Sequence, residues 1–316
     1  MAAIETFALE KTYQVGFWRK KTKVALRPLS FAIPEGEVFG YLGPNGAGKT
    51  TTLKLLMGLA APTGGSCKIL GGKIGDPQVR AQIGFLPEQP YFYDHLTPRE
   101  LLDYFATLSA LPATKRSAQI EAVLKRVALQ EDAWNTQLRK FSKGMLQRVG
   151  LAQAIIHDPK LVILDEPMSG LDPMGRREVR DLIEELNHEG KTILFSTHIL
   201  SDAEALCDRV AVLNRGELRG VGVVADLIGS VKGNTEIMWQ GAAAAHAVEA
   251  LGFKPHVVGE TVRTVVPEQD VDRVMDTLRN QHARLIAVTP MRTTLEDYFL
   301  ARLASPATGA APEVAK

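Results

Sequence analysis

Hydrophobic and polar positions divide the first two thirds of the chain into short apolar runs and longer stretches with helical spacing. Three runs are apolar almost throughout, which is typical of strands buried on both faces: Val38–Leu42, 160–165 and 191–197. Apolar residues recur at helical spacing over 99–110, 117–128 and 175–187. This alternation of strands and helices predicts an α/β domain built on a parallel sheet.

Shorter segments with strand character surround this pattern. Residues 29–33 alternate and predict a strand, and 64–72 predict another between glycine turns. Beyond about residue 229, strand-like and helical segments follow in the order β-α-β-β-α-β, which predicts a small α+β domain of ferredoxin-like type over 229–303. Its last helix spans 294–303, and we expect the Ala-, Pro- and Gly-rich tail, 304–316, to be disordered.

Composition adds a few exclusions. The net charge of +1 on 316 residues gives no sign of a nucleic-acid partner. No apolar run reaches the roughly 18–20 residues that span a bilayer, and the N-terminus lacks the features of a signal peptide. Two distant cysteines, Cys67 and Cys207, exclude a disulfide framework and a cysteine zinc site. We therefore expect a cytosolic protein whose membrane role, if it has one, depends on a partner.

The strongest chemical signal is the run Gly-Pro-Asn-Gly-Ala-Gly-Lys-Thr at 43–50, the glycine-rich loop, between an apolar run and a helical stretch. This order of strand, G-x-x-x-x-G-K-T and helix is that of a phosphate-binding loop. Its glycines let backbone N–H groups converge on phosphate oxygens, and the helix adds its dipole. Lys49 would reach the outer phosphates and Thr50 would coordinate Mg²⁺. The residues predicted to bind a nucleoside triphosphate here are Gly43, Asn45, Gly46, Gly48, Lys49, Thr50 and Thr51.

Polar residues follow the other two apolar runs. Asp165 and Glu166 end one run, at the edge of an α/β sheet where ligands bind. Asp165 is predicted to hold Mg²⁺, and Glu166 to orient or deprotonate the attacking water. His198 ends the next run and is predicted to contact the γ-phosphate. Residues 201–204 predict a capping box that would fix the turn carrying His198.

Taken in order, these motifs resemble those of the nucleotide-binding subunit of ATP-binding-cassette (ABC) transporters. The resembling segments are the glycine-rich loop, a glutamine loop at 85–89, a signature segment at 141–148, the Asp165-Glu166 pair, a D-loop at 169–172 and the switch histidine, His198. The resemblance covers about residues 1–228. It implies a P-loop ATPase core with a parallel sheet, an N-terminal antiparallel β subdomain and a helical signature subdomain over about 90–157.

The resemblance also implies roles for single residues. Gln89 would join Thr50 and Asp165 at Mg²⁺, and it would act in catalysis with Lys49, Glu166 and His198. Ser142 and Gly144 of the signature segment would bind ATP held by a second subunit, so a dimer, expected to be a homodimer, is implied. Asp172 of the D-loop is also predicted to bind the nucleotide.

The signature segment departs from the family form Leu-Ser-Gly-Gly-Gln. Lys143 replaces the first glycine and Met145 replaces the glutamine, while Ser142 still precedes a helix and Gly144 still permits close backbone approach. Lys143 either adds a positive charge near the γ-phosphate or points into solvent. Similar Ser-Lys-Gly-Met segments belong to exporter-type subunits for drugs, lipids and polysaccharides.

An aromatic residue near the N-terminus stacks on adenine in this family. Tyr13 matches best, and Phe17 or Trp18 in the following longer segment are alternatives. The basic run 19–21 is either a solvated hairpin tip, which we favour, or a contact for lipid headgroups or an acidic partner.

The resemblance thus implies an ATP hydrolase that drives a membrane exporter, with ATP and Mg²⁺ as ligands, at the cytoplasmic face of a membrane. Its partners would be a second nucleotide-binding subunit and a membrane permease. The aromatic residues 91–93 would contact the permease or lie in the subdomain core. The C-terminal domain would be a ligand-binding regulatory module or a dimer-stabilising appendage. The alternative is a soluble ABC-type ATPase of translation or DNA maintenance.

Overall fold

The computed structural model describes residues 1–16, 21–228, 231–292 and 294–304. The stacking candidates Phe17 and Trp18, most of the basic run 19–21 and nearly all of the tail that we expect to be disordered lie outside these ranges. The chain divides into two compact units, whose main segments are Met1–Val224 and Ala225–Leu300.

The first unit contains eleven strands and seven helices within the described residues. Its strands are β1 (Ala2–Val15), β2 (Lys21–Leu29), β3 (Ala32–Pro34), β4 (Val38–Leu42), β5 (Gly64–Ile69), β6 (Gly72–Lys73), β7 (Ile83–Leu86), β8 (Leu161–Asp165), β9 (Thr192–Thr197), β10 (Arg209–Asn214) and β11 (Glu217–Val223). Its helices are α1 (Lys49–Leu56), α2 (Pro77–Arg80), α3 (Pro98–Leu108), α4 (Ala113–Arg126), α5 (Lys143–Ile155), α6 (Pro173–His188) and α7 (Leu200–Leu206). Short 3₁₀ helices span Glu131–Ala133 and Leu138–Lys140.

A six-stranded sheet in the order β11-β10-β4-β9-β8-β7 forms the centre of this unit. All pairs are parallel except β10 with β11. Every residue of β4, β8 and β9 is buried, as their continuous apolar runs predict. In register, Leu42 lies opposite Thr197, and Ser196 lies opposite Asp165. The carboxyl ends of these three strands, each followed by a predicted site residue, therefore lie at one edge of the sheet.

An antiparallel sheet in the order β2-β1-β5-β6, with β3 also paired to β1, packs on the central sheet. The single strand predicted over 29–33 is wrong. Strand β2 ends at Leu29, and the chain shifts along β1 before β3 begins, because Ser30 accepts a hydrogen bond from the Ala8 N–H and Phe31 exchanges hydrogen bonds with Thr6. The Phe31 ring then stacks on Phe39 of β4 with centroids 5.7 Å apart.

Helices α3, α4 and α5 form the helical subdomain, and α3 and α4 lie close to the spans that their periodicity predicts. Thr97 begins α3 with a complete capping box to Glu100. Ser142 begins α5, where its hydroxyl accepts a hydrogen bond from the Met145 N–H. The subdomain therefore presents Ser142 at the start of a helix, as the signature segment predicts.

The second unit begins within helix α8 (Val224–Ile228). Its elements are β12 (Val231–Gln240), α9 (Ala243–Ala250), β13 (His256–Val258), β14 (Thr261–Pro267), a 3₁₀ helix (Glu268–Asp270), α10 (Val271–Asn280), β15 (Arg284–Arg292) and α11 (Leu295–Ala304). The antiparallel sheet runs β13-β14-β12-β15, and Trp239, Val262 and Val274 lie in a core between the sheet and its helices. This order confirms the predicted ferredoxin-like topology.

Both cysteines are buried, and burial raises the pKa of the Cys67 thiol to about 12. Within the described ranges, no helix combines the length and the apolar character needed to cross a bilayer.

Candidate functional site

The glycine-rich loop connects β4 to α1, and its backbone conformation explains the glycines. Gly46 and Gly48 have φ of +79° and +111°, in the region that residues with a Cβ avoid. At Gly48 a Cβ would also lie 2.7 Å from the carbonyl oxygen of Ala25. Helix α1 begins directly after Gly48, so the first N–H groups of the helix, which have no intrahelical partner, point out of the loop. This arrangement suits an anion such as a phosphate.

Lys49 and Glu166 form a buried ion pair at the mouth of this loop. Lys49 Nζ lies 3.0 Å from Glu166 Oε1, and the two side chains are 6% and 8% exposed. The same ammonium donates a hydrogen bond of 2.7 Å to the Gly43 carbonyl. His198 Nδ1 lies 2.8 Å from Glu166 Oε2. The structure therefore brings together three predicted residues that come from α1, the end of β8 and the end of β9.

Asp165 and Ser196 form hydrogen bonds directly beside this cluster. Asp165 is almost fully buried, and its Oδ1 accepts a hydrogen bond of 2.6 Å from Ser196 Oγ. The same hydroxyl accepts a hydrogen bond of 3.0 Å from the Glu166 N–H. Glu166 has a φ of +51°, which is unusual for a residue with a Cβ, and it turns the chain out of β8. Ser196 thus holds the backbone of Glu166, a role that sequence reasoning missed.

A cavity of about 550 Å³ opens beside the cluster. Seven of the predicted nucleotide-binding or catalytic residues line it: Asn45, Gly46, Gly48, Lys49, Thr50, Thr51 and Glu166. Three charged residues that were not predicted also line it, namely Lys23, Glu88 and Arg215. Gln89 and Tyr13 are not among the lining residues. Glu88, which precedes Gln89, and Lys23, which pairs with Tyr13 between β1 and β2, do line the cavity. The Tyr13 ring has Lys11 Nζ 4.9 Å from its centroid.

Arg215 reaches this cavity because the β10–β11 hairpin packs on the glycine-rich loop. The Gly216 N–H donates a hydrogen bond of 2.7 Å to the Ala47 carbonyl, and Arg215 itself has a φ of +49° at the hairpin tip. Gly216 also has a φ above zero, and this glycine was the available sequence signal for a turn, although it does not predict where Arg215 lies.

Ser142, Gly144 and Asp172 are not among the residues that line this cavity. Asp172 begins α6, where its Oδ1 accepts a hydrogen bond of 2.8 Å from the Gly175 N–H. A Cβ at Gly144 would lie 3.4 Å from the Leu171 side chain, so the signature segment and the D-loop are adjacent in one chain. Lys143 is exposed, and its side chain passes over Gly170.

The turn that carries His198 is built differently from the prediction. The capping box over 201–204 is wrong, because α7 already begins at Leu200, with Ile199 before it and no side-chain cap. Instead the Ile199 N–H donates a hydrogen bond of 3.0 Å to Thr197 Oγ1. Asp202, which would have followed the cap, is buried and pairs with Arg176 of α6.

Comparisons with known proteins agree with this geometry. A family model described as ABC transporter matches residues 26–169. An uncharacterised ABC transporter ATP-binding protein of Synechocystis sp. is 44% identical over 310 residues, which are 95% of this chain and 84% of that protein. The linearmycin resistance ATP-binding protein LnrL of Bacillus subtilis is 31% identical over 88% of this chain and 93% of its own. A dimeric ATP-binding cassette solved in a post-hydrolysis state with ADP and Pi is 28% identical, with a TM-score of 0.65 over 70% of this chain and 98% of that one.

These matches confirm the resemblance and the fold. They do not favour a soluble ATPase of translation or DNA maintenance, since the relatives carry the names of transporter or resistance ATP-binding proteins. The chain therefore belongs to the family of ABC transporter ATP-binding proteins, and it is an ATP-binding and ATP-hydrolysing subunit of that family.

Proposed function

We propose that this chain is the motor subunit of a membrane exporter for a drug-, lipid- or polysaccharide-like substrate, and that it works as a homodimer on a permease at the cytoplasmic face. The observation that carries the proposal is the cluster beside the glycine-rich loop, in which Lys49 and Glu166 are buried and His198, which is 41% exposed, contacts Glu166. In this cluster one cation and one carboxylate neutralise each other, and both face a cavity. That is the arrangement needed to bind phosphates and to activate water.

The side chains of the cavity suit ATP with Mg²⁺. No group of three or more His, Cys, Asp or Glu that could hold a metal occurs in the part of the chain that the structure describes. Magnesium commonly uses one or two carboxylates together with phosphate oxygens and water. Thr50 lines the cavity, and Asp165 and Gln89 adjoin the lining residues Glu166 and Glu88 in the chain, so these three would hold the ion. Bound ATP would supply the γ-phosphoryl group, and bound Mg²⁺ would neutralise its charge.

Each residue of the cluster then has one task. Lys49 leaves Glu166 and binds the outer phosphates through its ammonium. Apart from its ion pair with Lys49, Glu166 Oε1 has no hydrogen-bond partner among the described residues, and it accepts the proton of the attacking water. His198 holds the other oxygen of Glu166, and we assign it to the γ-phosphate of bound ATP. The remaining predicted ligands, Tyr13 at adenine and the loop residues at the phosphates, keep their proposed roles.

Homodimerisation explains where the signature segment acts. Ser142, Gly144 and Asp172 do not line the cavity of their own chain, and Gly144 lies against Leu171 of the D-loop. We assign this separate group to the nucleotide of a second copy, as the family resemblance implies. ATP-filled sites then contact both chains, and hydrolysis and release of phosphate let the two chains separate. The dimeric cassette with ADP and Pi supports this reading by its likeness to the first unit.

The direction of transport rests on two similarities. The LnrL relative is named for resistance to linearmycin, and the Ser-Lys-Gly-Met segment resembles those of exporter subunits. The aromatic residues of the helical subdomain support docking to a permease, because Tyr91 and Tyr93 are 101% and 56% exposed rather than buried in the core. Residues 229–303 would form an accessory domain, either regulatory or dimer-stabilising.

The test is to purify tagged Glu166→Gln protein with ATP from detergent-solubilised native membranes and to identify co-purifying chains. We expect one stoichiometric multi-span permease. The same complex, assembled with the unmodified chain and reconstituted, should move substrate into vesicles whose ATP sites face outward, and Lys49→Ala should abolish that uptake. Co-purification with ribosomes or DNA enzymes alone would contradict the proposal, and ATP-driven movement of substrate in the opposite direction would contradict export.

A further inference from the structure

Asp202 is a buried carboxylate that the proposed mechanism does not use. It lies on α7, four residues after His198, and is 1% exposed. Arg176 Nη2 lies 2.7 Å from its Oδ2, and Arg180 Nη1 lies 3.9 Å from its Oδ1. Both arginines belong to α6, so this ion pair fastens α7 to the longer helix.

A carboxylate with this burial requires a partner at close range. The hydrogen-bond distance and the partial burial of Arg176, which is 29% exposed, make it the principal partner, while Arg180 stands farther away. Removing Arg176 would leave Asp202 buried with only the distant arginine. Helix α7 would then shift so that the carboxylate reaches water or Arg180.

His198 depends on that helix for its position. Its turn has β9 on one side and α7 on the other, and α7 begins without a side-chain cap. The hydrogen bond from the Ile199 N–H to Thr197 ties the turn to β9, and the buried Ala203 packs α7 on β4, while the ion pair of Asp202 with Arg176 fastens α7 to α6. The distance of 2.8 Å between His198 and Glu166 therefore depends in part on the ion pair that Arg176 makes with α7.

We propose that Arg176 is a positioning residue for His198, which it holds against Glu166 through Asp202. The inference rests on the proposed function, because it takes His198 to act on the γ-phosphate end of the nucleotide. It adds a residue that none of the sequence motifs includes. The glycine-rich loop and the cavity do not contact Arg176, so nucleotide binding should not depend on it.

The experiment is a double-mutant cycle on the full chain with Arg176→Met and His198→Ala. Turnover is measured together with the Kd for ATP. We expect Arg176→Met to lower kcat about tenfold, since small displacements of catalytic groups have effects of this size, and to leave the Kd for ATP within about twofold. In the His198→Ala background the same substitution should have no further effect on kcat. Arg176→Lys should recover most of the lost turnover.

Arg126→Met is the matched control. Arg126 also anchors a helix to α6, through Glu185 at 3.0 Å and Glu189 at 2.7 Å, and it is 21% exposed. Its loss should lower the melting temperature and leave kcat unchanged. Asp202→Asn removes the buried charge with little change of shape, and it should repeat the Arg176→Met pattern if that variant does not fold.

Two results would overturn the inference alone. The first is that Arg176→Met and Asp202→Asn both keep the kcat of the unmodified chain. The other is an equal loss with and without His198, which would give Arg176 a general structural role. If His198→Ala itself kept full turnover, the proposed role of His198 would fail first, and the inference would fail with it.

Discussion

The buried pair of Lys49 and Glu166 makes a strong prediction about stability without nucleotide. In Lys49→Ala, Glu166 would stay buried with only His198 beside it, because Lys49 Nζ is the cation 3.0 Å from Oε1. Removing one partner of a buried ion pair costs about 3–5 kcal/mol. We take the lower end, about 3 kcal/mol, since the His198 ring still contacts the other carboxylate oxygen.

Glu166→Gln should cost less. The ammonium of Lys49 keeps its 2.7 Å hydrogen bond to the Gly43 carbonyl, and a glutamine oxygen can still face it, so we expect about 1 kcal/mol. In the double variant neither charge remains. It should therefore be more stable than Lys49→Ala alone, which gives a coupling energy of about 2 kcal/mol between the two side chains.

Scanning calorimetry of the nucleotide-free chain measures these differences. The transition that ATP raises in the unmodified chain identifies the first unit. For a domain of this size, about 3 kcal/mol corresponds to a loss of about 9 °C. Additive losses, or a melting temperature of Lys49→Ala within about 2 °C of the unmodified chain, would refute the claim that Lys49 and Glu166 neutralise each other in the empty site.

Three further predictions concern pH, the glycine-rich loop and the cavity. Burial lowers the pKa of His157 below its ordinary value of 6.5, so the unfolded chain binds the proton more tightly than the folded chain. Stability should therefore be lost as the pH falls through about 6.5, and His157→Gln should reduce that loss in thermal melts. In nucleotide titrations Gly48→Ala should weaken ATP binding more than Gly46→Ala, because only at Gly48 would the added methyl group meet a backbone oxygen. Arg215→Ala should weaken ATP binding severalfold, and less so at high salt.

Each of these has a contradicting result. A melting temperature of the unmodified chain that does not fall with acid would count against the account of His157. If Gly46→Ala and Gly48→Ala lost ATP affinity equally, the contact of the added methyl group with a backbone oxygen at Gly48 would not explain the loss. An unchanged affinity in Arg215→Ala would place that guanidinium outside the nucleotide contacts.

The central strands could be predicted from the sequence because they are buried on both faces. The runs that become β4, β8 and β9 are centred on apolar residues and buried at every position, and their observed bounds agree with the predicted ones within one residue. The strand predicted over 29–33 failed because its alternation spans two strands, and the break depends on hydrogen bonds to β1, which is distant in sequence. Local pattern carries no information about that contact.

The same distinction holds at the site. Lys49, Glu166 and His198 each follow or begin a strongly patterned element, so their approach follows from the order of parallel strands. Ser196 and Arg215 could not be found that way, because one depends on the register of β9 against β8 and the other on a hairpin that packs over the glycine-rich loop. The capping box at 201–204 failed for a related reason, since Asp202 is held by Arg176 of another helix.

The most direct test of the account is the ATPase activity of a mixture of two inactive variants. Glu166→Gln damages the site of its own chain, and Ser142→Ala damages the site of the partner chain. In an equal mixture, half of the dimers should be mixed and each should hold one intact site, so about one quarter of the normal activity should return. A mixture of Glu166→Gln with Lys49→Ala, whose lesions fall on the same side, should stay inactive. If the first mixture shows no more activity than its components, the signature segment does not act on the nucleotide of a second copy, and the account is wrong.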